Sequence, residues 1–231
     1  MHNNERKLAE SWIANADAWT ESIRQQQIES RKIATDQVVI DAIQARNPKR
    51  VLDIGCGEGW LSRTVSNLGI EVVGIDGSEK LIAHAQAAGG AQFIHLNYEE
   101  LIANPEQVGK NYDVVVCNFS LLSQELSPLL RTMSYVLSDR GVIMIHTLHP
   151  FNVLNQPYED GWRVETFEGM GDGYSSSMPW FYRTMGSWLK EIGSAGLSLI
   201  DIKEPLNPKT GKPFSLLMTT AKNIRVSEEF E

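Results

Sequence analysis

The feature that most constrains the fold is the alternation of short apolar runs with helical patterns between residues 51 and 147. The apolar runs are rich in Val and Ile, which is typical of strands buried on both faces. Five such strands alternating with helices predict an α/β fold with a doubly wound, mostly parallel sheet and helices on both faces. The predicted strands cover residues 51–54, 70–75, 92–96, 112–117 and 141–147.

Several predicted helices carry recognisable start signals. A Ser or Thr just before an apolar helical pattern is typical of a helix N-cap. Thr35, Ser78, Ser127 and Thr184 occupy such positions. The predicted closing elements are a helix over residues 184–195 and two strands over 197–203 and 214–222.

Length and composition exclude several classes of protein. The 231 residues suit one α/β domain and are too few for two full enzyme domains. A net charge of −8 without a local basic patch disfavours a nucleic-acid partner. No apolar run is long enough to span a membrane, and the first residues lack the apolar core of a secretory signal. Two cysteines do not make a disulfide framework, so a cytoplasmic protein is predicted.

The chain is predicted to form a single domain in four parts. The part at 151–183 is a lid insertion, which holds eight of the nineteen aromatic residues and five acids, without helical or strand periodicity. A connection so long and so aromatic is typical of a lid or a binding segment. The other predicted parts are an N-terminal helical cap at 1–34, a core at 35–150, and the closing helix and strands at 184–231.

The clearest motif is the sequence VLDIGCGEGW at residues 51–60. A predicted strand runs into Gly55, Gly57 and Gly59 and then into a helix. Glycines allow a sharp turn and let a ligand lie on main-chain N–H groups at a helix N-terminus. The spacing G-x-G-x-G differs from the G-x-G-x-x-G of dinucleotide-binding enzymes. Asp53, just before the turn, would repel a pyrophosphate and would suit a cationic ammonium group.

A second acid, Asp76, ends the next predicted strand. A carboxylate at this place can accept hydrogen bonds from both hydroxyls of a ribose. Its alternative role is to cap the helix that begins near Ser78. The glycine turn in front of it favours ribose binding.

These segments resemble, in order and spacing, the successive motifs of class I S-adenosylmethionine-dependent methyltransferases. The resemblance covers roughly residues 35–150 and implies S-adenosyl-L-methionine as the cofactor. It also implies a Rossmann-like seven-stranded sheet of order 3-2-1-4-5-7-6, with strand 7 antiparallel. The matching segments are VLDIGCGEGWLS, VVGIDGSEKLIAHA, FIHLNYEEL, YDVVVCNFSLL and LSDRGVIMIHTLHP.

The same resemblance implies which residues contact the cofactor. The family often has an acid at the position of Asn97, and an Asn carbonyl can accept the same bond from the adenine amino group. Cys56 lies inside the glycine turn, and its side chain is predicted to pack rather than to act as a nucleophile. The implied contacts are Asp53, Gly55, Cys56 and Gly57 for the methionine part, Asp76, Gly77 and Ser78 for the ribose, Asn97 and Tyr98 for the adenine, and Cys117, Asn118 and Phe119 beside the sulfonium.

The acceptor side of the site is predicted beyond the ends of strands four and five. His149 is the best candidate for a general base, because its usual pKa of roughly 6.5 suits proton removal near neutrality. The alternative for His149 is a loop residue bonded to a main-chain group. Arg183 is predicted to pair with a substrate carboxylate or, slightly favoured, with an acid of the lid. Trp12 and Trp19 are candidates for a second lid or for packing at the sheet edge.

The preferred function is O-methylation of a small-molecule acceptor. The chain reads Asn118-Phe119-Ser120-Leu121 after strand four, without the prolines expected of enzymes that methylate nucleic-acid bases or protein amides. Methylation of a tRNA or a protein side chain stays an alternative. A further alternative is a non-catalytic S-adenosylmethionine-binding protein or partner subunit. No metal is predicted, because no ligand set is clustered at workable spacing, and the sequence leaves the oligomeric state open.

Overall fold

The computed structural model describes residues 3–152 and 156–223. Its strands are β1 (Arg50–Ile54), β2 (Glu71–Asp76), β3 (Gln92–His95), β4 (Tyr112–Asn118), β5 (Leu137–Leu148), β6 (Gly161–Glu165), β7 (Met178–Tyr182), β8 (Leu197–Lys203) and β9 (Ser215–Lys222). Its α-helices are α1 (Asn3–Ala14), α2 (Ala16–Arg24), α3 (Asp36–Ala45), α4 (Trp60–Ser66), α5 (Glu79–Ala88), α6 (Tyr98–Ala103), α7 (Ser127–Val136) and α8 (Met185–Ser194).

Seven strands form one sheet in the order β3-β2-β1-β4-β5-β9-β8. Strands β1 to β5 are parallel to one another, whereas β9 is antiparallel to both β5 and β8. Since β8 and β9 are the sixth and seventh strands of this sheet along the chain, the predicted order 3-2-1-4-5-7-6 with strand 7 antiparallel is confirmed. Among the residues described, no helix is long and apolar enough to cross a membrane.

The sheet is buried on both faces, as its near-continuous apolar strands require. Leu52 and Ile54 of β1 face a layer that includes α7 and α8, where Met133 and Trp188 are buried. Val51 faces the opposite layer, which is formed by α3 and α4. Successive side chains of a strand point to opposite faces, so β1, β2, β4, β5 and β9 contribute to both cores.

The insertion contains structure that its sequence does not predict. Strands β6 and β7 form an antiparallel hairpin in which Trp162 lies opposite Phe181 and Val164 opposite Pro179. Val164 is exposed, and most of the other hairpin residues are only half-buried. A strand pair without one buried face carries no alternating apolar pattern. The missing periodicity in the insertion therefore does not mean that strands are missing.

The predicted caps are correct at two of the four positions. The Ser78 and Thr184 hydroxyls accept hydrogen bonds from the main-chain N–H groups of Leu81 and Ser187. The other two predictions are wrong, since neither Thr35 nor Ser127 caps its helix with its side chain. Thr35 ends a π-helical turn, Arg31–Thr35, that continues into α3, and the Ser127 hydroxyl donates to Glu191 instead.

Strand β5 begins at Leu137, four residues before the predicted start. Leu137 pairs with Tyr112, and the register then shifts so that Val114 pairs with Val142. Gly141 lies in this irregular stretch, and a Cβ atom added to it would lie 2.5 Å from the Tyr112 carbonyl oxygen and 2.9 Å from a Leu137 methyl carbon. The glycine is therefore required by close packing of two main chains.

We expect Gly141→Ala to lower the free energy of unfolding by about 1–3 kcal/mol, because the new methyl group would overpack this junction. Gly193→Ala is the matched control, since Gly193 is an exposed residue of α8 with no atom within 4 Å of its added Cβ. That change should raise stability by about 1 kcal/mol, because alanine favours the helix. Urea denaturation of both variants measures the difference, and equal effects would contradict the packing argument.

Candidate functional site

The turn between β1 and α4 has the left-handed backbone that its glycines allow. Gly55 and Gly57 have φ values of +73° and +58°. A Cβ atom on Gly55 would overlap the side chain of Ser120, which lies beyond the end of β4. The N–H groups of Gly55 and Cys56 donate to the Ile75 carbonyl oxygen at 2.8 and 2.9 Å. The turn is therefore held against the end of β2.

The carboxylate of Asp76 bridges the glycine turn and the start of α5. One oxygen accepts the N–H of Gly57 at 2.9 Å, and the other accepts the N–H of Ser78 at 2.8 Å. Burial raises the pKa of Asp76, and these two hydrogen bonds act in the opposite direction. Each carboxylate oxygen has a second lone pair, so Asp76 can accept two further hydrogen bonds from a ligand.

Asp53 is a buried acid with one neutral partner. Its side chain is 1 % exposed and accepts a hydrogen bond from the Ser62 hydroxyl at 2.7 Å. Burial raises the pKa of Asp53 to about 7, and the nearby charge of Asp76 adds to this effect. Within the described part of the chain no Lys, Arg or His forms an ion pair with it. A cationic ligand group near Asp53 would supply the missing charge.

The ends of β3 and β4 meet the same turn. The Tyr98 hydroxyl donates to the Ser120 carbonyl oxygen at 3.0 Å, and the Ser120 hydroxyl donates to the Ile54 carbonyl oxygen at 2.6 Å. Asn97 caps α6 through a reciprocal pair of bonds with Glu100. The structure thus gathers the predicted residues of four strand ends at one edge of the sheet.

Asn118 and Phe119 end β4 next to His146 of β5. The side-chain oxygen of Asn118 lies 2.8 Å from Nδ1 of His146. Phe119 has a φ of +56°, which is strained for a residue with a Cβ. Its N–H donates to the His146 carbonyl oxygen at 2.8 Å, and its ring centroid lies 4.5 Å from that of the imidazole.

Two predicted contact residues place their side chains in the core. The Cys56 side chain packs with Ile82, Ala85 and Phe93, and the Cys117 thiol lies 3.7 Å from the sulfur of Met133. Any contact of these cysteines with a ligand would use their main-chain atoms. Gly77 is exposed, and its carbonyl oxygen lies 3.2 Å from a ring nitrogen of His95.

His149 lies after β5 as predicted, with both ring nitrogens engaged. Its Nε2 is 2.7 Å from a Glu204 carboxylate oxygen, and its Nδ1 accepts the N–H of Phe151 at 3.3 Å. The imidazole is 4 % exposed. These contacts match the loop-residue alternative, and a role as general base stays a prediction.

Arg183 is buried against main-chain oxygens. Its guanidinium donates to the carbonyls of Ser123 and Gln124 and lies over the rings of Phe181 and Trp188. Burial lowers its pKa to about 10. Among the described residues no acid forms an ion pair with it, so the favoured pairing with an acid of the lid is not formed.

A buried acid in the glycine turn, Glu58, has a role that the sequence analysis missed. It is 1 % exposed and pairs with Arg24 at 3.0 Å and with Arg63 at 2.7 Å. Arg24 belongs to α2, which is thereby anchored to the turn. The nitrogen of the Trp19 indole, one helical turn earlier, lies 3.6 Å from the Cβ position of Gly57. The sequence signal for this role is an acid between two glycines, with an Arg five residues later.

The insertion and the N-terminal helices meet and together form a cover. The Asn15 side chain, fully buried between α1 and α2, accepts the N–H of Ser175 at 2.9 Å and donates to the Ser176 carbonyl at 2.6 Å. The Tyr174 hydroxyl lies 2.9 Å from that of Ser22. Trp12 contacts both Trp19 and the ring of Phe167. Trp19 is therefore the residue of this cover that lies against the glycine turn.

Comparison with known proteins gives matches to methyltransferases. A family described as "Methyltransferase domain" matches residues 51–141. The ubiquinone biosynthesis O-methyltransferase of Aeromonas salmonicida (strain A449) is 32% identical over 105 residues, which is 44% of this chain and 44% of that protein. The corresponding protein of Parvibaculum lavamentivorans is 29% identical over 130 residues, 52% of this chain and 51% of that protein. The chain thus matches about half of the length of these curated relatives.

Solved structures extend the similarity of fold to nearly the whole chain. The 1,6-didemethyltoxoflavin-N1-methyltransferase of Burkholderia thailandensis, with bound 1,6-didemethyltoxoflavin and S-adenosylhomocysteine, superposes with a TM-score of 0.66 and 17% identity over 96% of this chain and 89% of that one. A Listeria monocytogenes structure described as a putative S-adenosylmethionine-dependent methyltransferase gives a TM-score of 0.60 and 18% identity over 76% and 92%. Residues 51–141 therefore match a methyltransferase domain family, and the chain has the fold of these S-adenosylmethionine-dependent methyltransferases.

Proposed function

We propose that this protein is an S-adenosylmethionine-dependent methyltransferase that methylates an oxygen of a small-molecule acceptor. The observation that carries the proposal is the arrangement at the carboxyl edge of β1 and β2. The glycine turn there is left-handed, and at Gly55 a Cβ atom would overlap the Ser120 side chain. One acid lies on each side of the turn, the buried Asp53 and the half-buried Asp76. This combination fits a ligand with a cationic end and a ribose.

The residues present fit the cofactor part by part. Asp76 keeps two lone pairs for the ribose hydroxyls, and Asp53 offers a carboxylate to the ammonium of the methionine part. Gly55 and Gly57 allow the ligand to approach the main chain, and Asn97, Tyr98, Asn118 and Phe119 follow the neighbouring strands. The bound cofactor would supply an electrophilic methyl group on a sulfonium.

Two cations near α2 are candidates to hold the cofactor carboxylate. Arg31 and Lys32 line a cavity of about 270 Å³ together with Ser22 and Gln37. Arg31 pairs with Asp36 at 2.8 Å and lies over the ring of Trp60, the first residue of α4. Arg24, the third cation of this segment, is engaged by Glu58. Lys32 forms no ion pair among the described residues and is therefore the best candidate of the three.

The cover supports a small acceptor. Trp12 and Trp19 of the N-terminal helices and Tyr174 of the insertion belong to segments that meet beside the glycine turn. A closed site of this kind excludes water and holds two small reactants in line. The O-methyltransferase names of the sequence relatives support oxygen as the target, whereas the name of the Burkholderia neighbour specifies a ring nitrogen.

Methyl transfer asks little of the protein beyond positioning. The acceptor must present a lone pair opposite the leaving sulfur, with water excluded. A proton acceptor contributes only where the nucleophile is not already ionised. His149 remains the candidate general base, on the condition that its hydrogen bond with Glu204 breaks. Phe151 is 72 % exposed, so its ring does not fill the acceptor site.

A non-catalytic binding protein is the second candidate. Its support is that both ring nitrogens of His149 are engaged within the protein, and that Nη2 of the buried Arg183 donates to two main-chain carbonyls. Titration calorimetry with S-adenosylhomocysteine tests the cofactor, with NAD as the control. Methyl-labelled S-adenosylmethionine with a panel of phenols, carboxylic acids and ring-nitrogen compounds then tests the reaction. Binding without any transfer would favour the second candidate, and binding of neither would overturn both.

Asp76→Ala should weaken S-adenosylhomocysteine binding by about 1–3 kcal/mol, because the hydrogen bonds to the ribose are lost. Asp113→Ala is a matched control. Asp113 accepts the main-chain N–H groups of Lys49 and Arg50 at 2.8 and 3.1 Å, at the amino end of β1. Both variants lose a carboxylate that binds two amides, and only the first should lose affinity. Unchanged affinity in Asp76→Ala would contradict the ribose assignment.

Asp53 should make the free protein less stable as the pH rises from about 4 to about 7. Its pKa in the folded state, about 7, exceeds the ordinary aspartate pKa of 3.8, which applies to the unfolded chain. The folded state therefore binds more protons than the unfolded chain in this range, and stability falls as they dissociate. Asp53→Asn should remove this loss, on the order of a few kcal/mol. Denaturation curves across this pH range measure it, and identical pH dependence in both proteins would refute the assignment.

A further inference from the structure

His146 connects three adjacent strands at the carboxyl edge of the sheet. It lies in β5, opposite Asn118 of β4, and is 1 % exposed. Its Nδ1 is 2.8 Å from the Asn118 side-chain oxygen, and its Nε2 is 2.8 Å from the hydroxyl of Ser215 at the start of β9. Ser215 is fully buried. The three side chains form one continuous hydrogen-bonded chain.

The number of protons on the imidazole ring determines which atoms donate in these hydrogen bonds and which accept. Burial lowers the pKa of His146 to about 3, so its imidazole is neutral and has one N–H. The Asn118 oxygen can only accept, so the proton is on Nδ1, and Nε2 accepts the hydroxyl proton of Ser215. The amide nitrogen of Asn118 then points away from His146. Among residues 3–152 and 156–223 no acceptor takes its protons.

The same histidine holds the strained residue after Asn118. Phe119, at φ +56°, donates its N–H to the His146 carbonyl and packs its ring on the imidazole. Strain of this kind persists only where the surroundings fix it, and it is common at functional sites. Asn118 and Phe119 are therefore both held by His146.

We propose that His146 is a positioning residue that keeps the amide N–H groups of Asn118 turned toward the acceptor, so that the acceptor is held through an oxygen that accepts a hydrogen bond. This inference rests on the proposed function for the identity of the ligand. The orientation of the amide is independent of it. With the other tautomer, an amide carbonyl would face the ligand, and a hydroxyl or amine donor would be held instead.

The tautomer of His146 tests the orientation in the protein alone. Two-bond proton–nitrogen correlation spectra of ¹⁵N-histidine-labelled protein distinguish an Nδ1–H from an Nε2–H imidazole. The signals of His146 are identified by their Overhauser contacts to the Phe119 ring. We expect the Nδ1–H form in the unmodified protein and in Ser215→Ala, and the Nε2–H form in Asn118→Ala. An Nε2–H imidazole in the unmodified protein would overturn the proposal without bearing on cofactor binding.

Two pairs of variants test the positioning role. His146→Asn places an amide N–H close to the original Nδ1, whereas His146→Leu has no donor. We expect His146→Leu to lower kcat about tenfold relative to His146→Asn, which is the effect of one lost hydrogen bond, with S-adenosylhomocysteine affinity equal in both. Equal kcat, or a parallel loss of affinity and stability, would mean that His146 is only structural.

The variant Asn118→Asp tests the oxygen and the nitrogen of the Asn118 amide separately, because it keeps an oxygen toward His146 and replaces the nitrogen. The carboxylate still accepts the bond from Nδ1–H, so Nδ1 of His146 should stay protonated, while the group that faces the acceptor loses its protons. We expect kcat for an oxygen acceptor from the panel to fall at least tenfold. Unchanged kcat with Nδ1 still protonated would show that the amide N–H groups do not hold the acceptor. Failure of the unmodified protein to bind S-adenosylhomocysteine would instead count against the proposed function.

Discussion

The site depends on the carboxylate of Asp76, which fixes the glycine turn of one strand to the helix start after the next. It accepts the N–H groups of Gly57 and Ser78, and the turn in return bonds to the end of β2. Parallel strands place their carboxyl ends at one edge, but that alone does not align the loops that follow. The carboxylate supplies this alignment, because it binds two amides from separate loops at once.

Two further acids, Glu58 and Asp53, are buried in the turn or next to it. Glu58 joins α2 to the turn through Arg24, so the cover is attached to the part of the protein that would hold the cofactor. Asp53 differs, since a hydroxyl is its one side-chain partner and its pKa is raised to about 7. The first acid is compensated within the chain and stabilises the fold. The second is left for a ligand to compensate.

The sequence predicts the sheet well because buried parallel strands carry their own signal. The Val run of β4 indicates a buried parallel strand and the glycine turn after β1 indicates the functional edge, whereas the strand order comes from the resemblance to class I S-adenosylmethionine-dependent methyltransferases. The hairpin β6–β7 is missed because its residues face solvent and neighbouring loops rather than one core. The engagement of His149 by Glu204, 55 residues later, and of Arg183 by main-chain carbonyls depends on pairing across the chain, which no local pattern encodes.

The bonds between Asn15 and Ser175 and Ser176 join segments about 160 residues apart. A chain made from its N-terminus begins with α1 and α2 long before their partners exist. The five parallel strands of the core can pair before residue 175 leaves the ribosome. The cover can therefore close only after the five parallel strands have been made, and a nascent chain passes through a state in which these strands have paired while the glycine turn is still open on one side.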